Sequence, residues 1–143
     1  MPATTPFDRV IRGTLVLPDR ILANGWIATR GEVIAGIGEG PSPVATSVED
    51  YGSKLIMPGL VDGHMHTSSS RGWPGIEGAS KSAAAGGVTT CVDMPYDVPR
   101  PVTDAGILQE KIEYVNRLSH VDMALYGTIL KSGGVDAIAG LAE

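Results

Sequence analysis

The chain has 143 residues, of which 43% are hydrophobic, and a formal net charge of −5 at pH 7. This composition suits one domain, or a small domain with part of another, and can bury a core. The acidic balance argues against nucleic acid as a partner, because no basic stripe is available to neutralise phosphates. No apolar run approaches the roughly 20 residues that span a bilayer, the N-terminus lacks the apolar segment of a signal peptide, and a single cysteine cannot form an internal disulfide. We therefore expect a soluble cytoplasmic protein with no membrane or nucleic-acid partner.

The first half of the chain predicts a small β-sheet module. Residues 9–22 are rich in Val, Ile and Leu, and Pro18 breaks the run as a turn would. A hairpin is predicted around Gly31, because short β-branched runs lie on both sides of it. Residues 39–53 are rich in Gly, Pro and Ser and pass into polar residues, which predicts a loop. We expect a β-sandwich module over residues 1–54.

The second half, residues 55–143, predicts strands that alternate with helices. The helix near residues 102–119 rests on apolar residues at helical spacing, and either Thr103 or Asp104 could cap its start. Strand, helix, strand, helix is the order of βα units around a parallel sheet. The predicted strands cover residues 54–66, 88–95 and 121–127, and the predicted helices cover residues 76–87, 102–119 and 133–143.

His64 and His66 stand one residue apart at the end of the first of these strands. In a strand, residues i and i+2 face the same side, so both imidazoles project together and Met65 turns away. Two neutral imidazoles on one face make half of a zinc site, and a catalytic zinc keeps a position open for water. Asp62 faces the same way and could orient a ligand histidine or hydrogen-bond the loop. Alone, such a pair is more often structural, but its place at a strand end that opens a βα series favours a metal site.

Two segments resemble a known family. "PGLVDGHMH" resembles the first-strand signature of the amidohydrolase superfamily, and "AAAGGVTTCVDMP" resembles the cyclic amidohydrolases, which include dihydroorotases, hydantoinases and allantoinases. The resemblance implies an α/β fold: a β-sandwich module followed by the first three βα units of a metal-dependent (β/α)8 TIM barrel. It implies hydrolysis of a cyclic amide or ureide. "DMP" followed by a proline-containing loop is most like the allantoinases, which convert allantoin to allantoate.

The resemblance further implies that His64 and His66 bind the more buried ion of a binuclear centre, which holds zinc or another divalent metal. In the family, a bridging carbamylated lysine, two more histidines and a catalytic aspartate follow on later strands, so we expect them beyond Glu143. Lys131 comes too early to be that lysine, and His120 is predicted to lie on the surface at the opposite barrel end. We therefore expect no catalytic residue within the chain. The chain would be an inactive, poorly soluble N-terminal piece of an enzyme that is a homotetramer at full length.

Several loop residues are candidates for contacts with the substrate. Ser68 stands where dihydroorotases carry an arginine, which argues against that activity, although Arg71 could partly compensate or could be a solvated charge. Asp97 lies near the position of a family asparagine that contacts substrate. A carboxylate there would favour a ureido ring with N–H donors, or it could equally cap the loop. Asp93 is predicted to support the metal ligands, and Trp73 could line the substrate mouth or pack its loop.

Three alternatives stay open from the sequence. Within the same class, the enzyme could be a hydantoinase (dihydropyrimidinase) or a dihydroorotase. In another class, it could be a non-catalytic relative that acts in assembly, although two adjacent imidazoles argue against this. An amidohydrolase-type deaminase is disfavoured by "GGVTTCVDMP".

Overall fold

The computed structural model describes residues 6–95, 98, 100–131 and 134–142. The chain divides into two compact units, Met1–Pro58 and Gly59–Glu143. The division falls slightly later than the sequence predicts, because the last strand of the first unit continues to Ile56. Among the described residues, no helix has the length and apolar character needed to cross a membrane.

The first unit contains one four-stranded sheet in the order β3-β2-β1-β4. Strand β2 pairs antiparallel with both β1 and β3, and β1 pairs parallel with β4. A second sheet, as in a sandwich, is not among the described residues of this unit, so the sandwich stays a prediction. The strands are β1 (Phe7–Val16), β2 (Ile21–Arg30), β3 (Val33–Glu39) and β4 (Ala45–Ile56).

Both predicted turns of this unit are present. After the break at Pro18, the Leu17 N–H donates to the Arg20 carbonyl oxygen at 2.9 Å and closes the connection between β1 and β2. The hairpin between β2 and β3 turns at Gly31, whose φ of 56° is left-handed and therefore suits glycine. Its N–H donates to the Asp8 carboxylate at 2.6 Å, which ties the turn to β1.

The loop predicted over residues 39–53 is wrong, because most of that segment belongs to β4. The strand lies mostly exposed, so it lacks the alternating apolar pattern by which half-buried strands are identified. Its polar residues pair instead with charges on β1. Glu49 lies 2.6 Å from the Arg9 guanidinium, and Asp50 lies 3.4 Å from that of Arg12.

The second unit confirms the predicted alternation of strands and helices. Its three strands form one parallel sheet in the order β5-β6-β7, which is also their order along the chain. The elements are β5 (Leu60–Met65), α1 (Gly75–Ala85), β6 (Val88–Asp93), α2 (Ala105–Leu118), β7 (Asp122–Leu125), a 3-10 turn at Gly134–Ala137 and α3 (Ile138–Ala142).

The helix ends follow the sequence signals. Helix α1 ends at Ala85 and is followed by Gly86 and Gly87, close to the predicted end at residue 87, and Gly87 has a φ of 85°. Helix α2 is capped by Asp104, whose carboxylate accepts the Ile107 N–H at 2.9 Å. Of the two predicted caps, Asp104 is therefore the one in use.

The core of the second unit lies between the sheet and its two longer helices. Ile76, Cys91 and Val102 are fully buried there. Cys91 thus packs as a small apolar residue on the central strand. Burial raises the pKa of its thiol, and the nearby carboxylates of Asp93 and Asp62 raise it further.

Candidate metal centre

The two histidines converge at the carboxyl end of β5. Both side chains are exposed, and their Nε2 atoms lie 3.3 Å apart. The ring centroids are 5.1 Å apart with an interplanar angle of 73°. The shared orientation of His64 and His66 is what the two-residue period of a strand predicts.

This separation fits two ligands of one ion. Zinc–nitrogen bonds of ~2.0–2.1 Å at a tetrahedral angle place the two nitrogens about 3.3–3.4 Å apart. The pair could therefore ligate a single ion with little movement. The same distance also fits a hydrogen bond between the rings, with the donor set by the tautomer. Within the described part of the chain, no group of three or more His, Cys, Asp or Glu side chains could hold a metal, so the pair supplies two ligands only.

Asp62 acts on the backbone beside the first histidine. Its carboxylate accepts the N–H of His64 at 3.0 Å. This contact lies within β5, so both predicted roles of Asp62, orienting a ligand histidine and hydrogen-bonding the loop, stay predictions. The bond fixes the backbone from which the His64 ring projects.

Asp93 lies at the end of β6, and its carboxylate is buried between β5 and α2. One carboxylate oxygen accepts the N–H of Thr67 at 2.8 Å. The other lies 2.6 Å from the Nζ of Lys111, and the two side chains are 1% and 0% exposed. Asp93 thus contacts the residue that directly follows His66.

Lys111 belongs to this site but is not among the residues predicted from the sequence. It lies on α2 four residues after Ile107 and four before Val115, so it shares the apolar face of the helix. A lysine almost never lies fully buried unless it is paired. A lysine on an apolar helical face was therefore the available signal, although the sequence does not say which carboxylate it meets.

The loop after β5 carries the two predicted substrate contacts that the structure describes. Arg71 is exposed and lines a cavity of about 520 Å³ together with His66. Ser68 is instead buried, and its hydroxyl lies 3.2 Å from that of Thr67. The third predicted contact, Asp97, lies outside the described residues.

Trp73 packs the loop against α2. The ring is 7% exposed and lies 5.4 Å from the Tyr114 ring, at a 58° tilt. The Arg100 guanidinium lies 5.7 Å from its centroid. Of the two roles predicted for Trp73, these contacts correspond to packing.

His120 and the histidine pair lie at opposite ends of the strands of the parallel sheet. It is exposed and precedes β7, whereas His64 and His66 lie at the carboxyl end of β5. Its backbone N–H donates to the buried Ser80 hydroxyl at 3.1 Å. The predicted surface position is confirmed, so His120 is a natural control for the pair.

The comparisons with known proteins point to one group of enzymes. The chain is 33% identical to an allantoinase of Streptomyces avermitilis over 127 residues, and 32% identical to an allantoinase of Rubrobacter xylanophilus over 139 residues. These alignments cover 86% and 94% of the chain, but only 28% and 30% of the two relatives. The chain thus spans less than a third of their length. No protein-family model matches it.

Solved structures of hydantoinases also resemble the chain. An L-hydantoinase of Arthrobacter aurescens matches 95% of the chain, with a TM-score of 0.78 and 33% identity, and the match covers 31% of that enzyme. A D-hydantoinase of Bacillus sp. AR9 matches with a TM-score of 0.71 at 19% identity, which is a likeness of fold alone.

Proposed function

We propose that this chain forms the N-terminal, metal-binding part of a cyclic amidohydrolase, because it is homologous to the N-terminal part of the allantoinases and hydantoinases. The observation that carries the proposal is the pair of imidazole nitrogens 3.3 Å apart at a strand end. The proposed substrate is a cyclic ureide, with allantoin first, because allantoinases of bacteria and plants and an L-hydantoinase are among the relatives.

The proposed reaction breaks one ring C–N bond. The oxygen of water bonds to the ring carbonyl carbon, the C–N bond breaks, and the nitrogen takes a proton. Bound zinc ions, two of them by the family resemblance, would lower the pKa of that water and polarise the carbonyl. His64 and His66 would hold one of these ions.

Around the metal, this chain supplies residues that orient and bind. Asp62 and Asp93 hydrogen-bond the backbone on either side of the histidine pair, at His64 and Thr67. Arg71 lines a cavity together with His66, which supports the proposal that it donates to a substrate carbonyl oxygen. Asp97, which follows β6 in the sequence, stays a proposed acceptor for ureido N–H groups. Ser68, in the loop of Arg71, stays a proposed contact that would have to open from its buried position to reach the substrate.

The wider assembly extends the same proposal. The parallel order β5-β6-β7, with a helix after each of the first two strands, is the arrangement expected of consecutive units in a (β/α)8 barrel. We propose that these are the first three units of that barrel and that the first unit of the chain belongs to a β-sandwich. A homotetrameric cytoplasmic enzyme is the corresponding proposal for the whole protein.

Zinc binding to this chain tests the metal site directly. We expect the purified chain to bind zinc in a competition titration against a chromophoric chelator. H64A and H66A should each weaken binding at least tenfold, because each removes one of two ligands. H120A removes an exposed histidine at the other end of the sheet and should bind as the unaltered chain does. Equal zinc affinity in H64A, H66A and H120A would refute the site.

Substrate class needs a separate assay on the native gene product that contains this chain. We expect ring opening of allantoin to exceed that of hydantoin and dihydroorotate, with allantoate as the product. H66A in the same protein should abolish turnover. Release of ammonia without ring opening would instead indicate a deaminase.

A further inference from the structure

We infer that the buried Asp93–Lys111 ion pair is a positioning device that sets the place of His66 and thereby the metal affinity of the histidine pair. The inference rests on the proposed metal-binding function. It assigns a role to Lys111, a residue of α2 that acts on the histidine pair through Asp93 and Thr67.

First, the end of β6 is the template for the segment that carries His66. The Met94 N–H donates to the carbonyl oxygen of Met65 at 2.7 Å. The Thr67 N–H donates to the Asp93 carboxylate at 2.8 Å. These two hydrogen bonds flank His66 on either side. These backbone hydrogen bonds set the position of the His66 Cα, from which the exposed side chain projects.

Second, only one of those two anchors depends on a side chain. An aspartate side chain can rotate about χ1 and χ2, and a partner at each carboxylate oxygen restricts that rotation. In Asp93, one oxygen accepts from Thr67 and the other pairs with Lys111 at 2.6 Å. Lys111 therefore holds the rotamer in which Asp93 can reach Thr67. Because both side chains are excluded from water, no solvent can replace Lys111 as the partner.

Third, Asp93 connects three strands, and its partner Lys111 adds a helix. Asp93 is the register partner of Met65 in β5, and its carbonyl oxygen accepts the Tyr126 N–H at 3.3 Å just after β7. Lys111 adds α2 to this junction. The segment that carries His66 is thereby anchored to the buried core of the unit. Groups that orient metal ligands raise metal affinity in this way.

The test separates position from stability. D93L/K111M replaces the ion pair with apolar side chains of similar size, and such replacements often leave stability unchanged or raised. It also removes the acceptor for the Thr67 N–H. We expect this variant to stay folded, by circular dichroism and urea titration, and to bind zinc roughly 10–100-fold more weakly than the unaltered chain. K54M, which removes an exposed lysine of the first unit, should bind zinc normally.

A second readout needs no metal. Amide hydrogen exchange at Thr67 should become at least tenfold faster in D93L/K111M and stay unchanged in K54M. If D93L/K111M does not fold, D93N/K111M takes its place with the same two measurements. A folded variant with zinc affinity within twofold of the unaltered chain, or with unchanged Thr67 exchange, would overturn the inference. Zinc binding that survives H64A and H66A would instead count against the proposed metal site, and the exchange measurement would still decide the inference.

Discussion

Replacing Lys111 with methionine alone should destabilise the second unit strongly. The substitution keeps most of the side-chain volume but leaves the Asp93 carboxylate, 1% exposed, without its partner at 2.6 Å. At that distance two unit charges attract by about 6 kcal/mol for an effective dielectric constant near 20, and desolvation of both groups offsets part of this. Breaking a buried pair by removing one partner costs about 3–5 kcal/mol. Since small domains have stabilities of about 5–15 kcal/mol, the loss should be a large fraction of the total.

Urea unfolding followed by tryptophan fluorescence measures this loss. In a W26F background, Trp73 becomes the sole tryptophan, and it is packed against Tyr114 within the second unit. We expect K111M to lower the unfolding free energy by about 3–5 kcal/mol. D93L/K111M should recover part of this loss, because it leaves no buried charge and costs only the acceptor of the Thr67 N–H. K54M, in the first unit, should leave the Trp73 transition unchanged. A loss below about 1 kcal/mol in K111M, the level of an exposed ion pair, would refute the reasoning.

Three further predictions concern single residues. D104A should lower stability by about 1 kcal/mol, because the cap bond of α2 is lost, while T103A should cost less; thermal unfolding of the two variants compares them. G87A should cost about 1–2 kcal/mol, since its φ of 85° is unfavourable for a side chain, whereas G86A at a φ of −84° should be nearly neutral; equal losses would contradict the conformational argument. Cys91 should react slowly with iodoacetamide in the folded chain and quickly in urea, because burial raises its pKa and blocks access; mass spectrometry of the alkylated protein reads this out.

The local patterns of the sequence determined most of the elements and the orientation of the candidate ligands. The βα alternation of the second unit, the turn at Gly31, the cap at Asp104 and the glycine stop of α1 all follow from signals within a few residues. The convergence of His64 and His66 belongs to the same class, because the strand period alone puts residues i and i+2 on one face.

The tertiary structure decided the features that depend on which elements meet. Strand β4 lies mostly exposed and owes its place to pairing with β1, including the contacts of Glu49 and Asp50 with arginines. No periodicity within residues 39–53 could reveal that pairing. The burial of Lys111 is a second case, since the helical pattern marks its face but not its partner. Only the packing of α2 against the end of β6 brings Lys111 to Asp93, because an ion pair between distant segments is set by the distance between two side chains in space and not by their spacing along the chain.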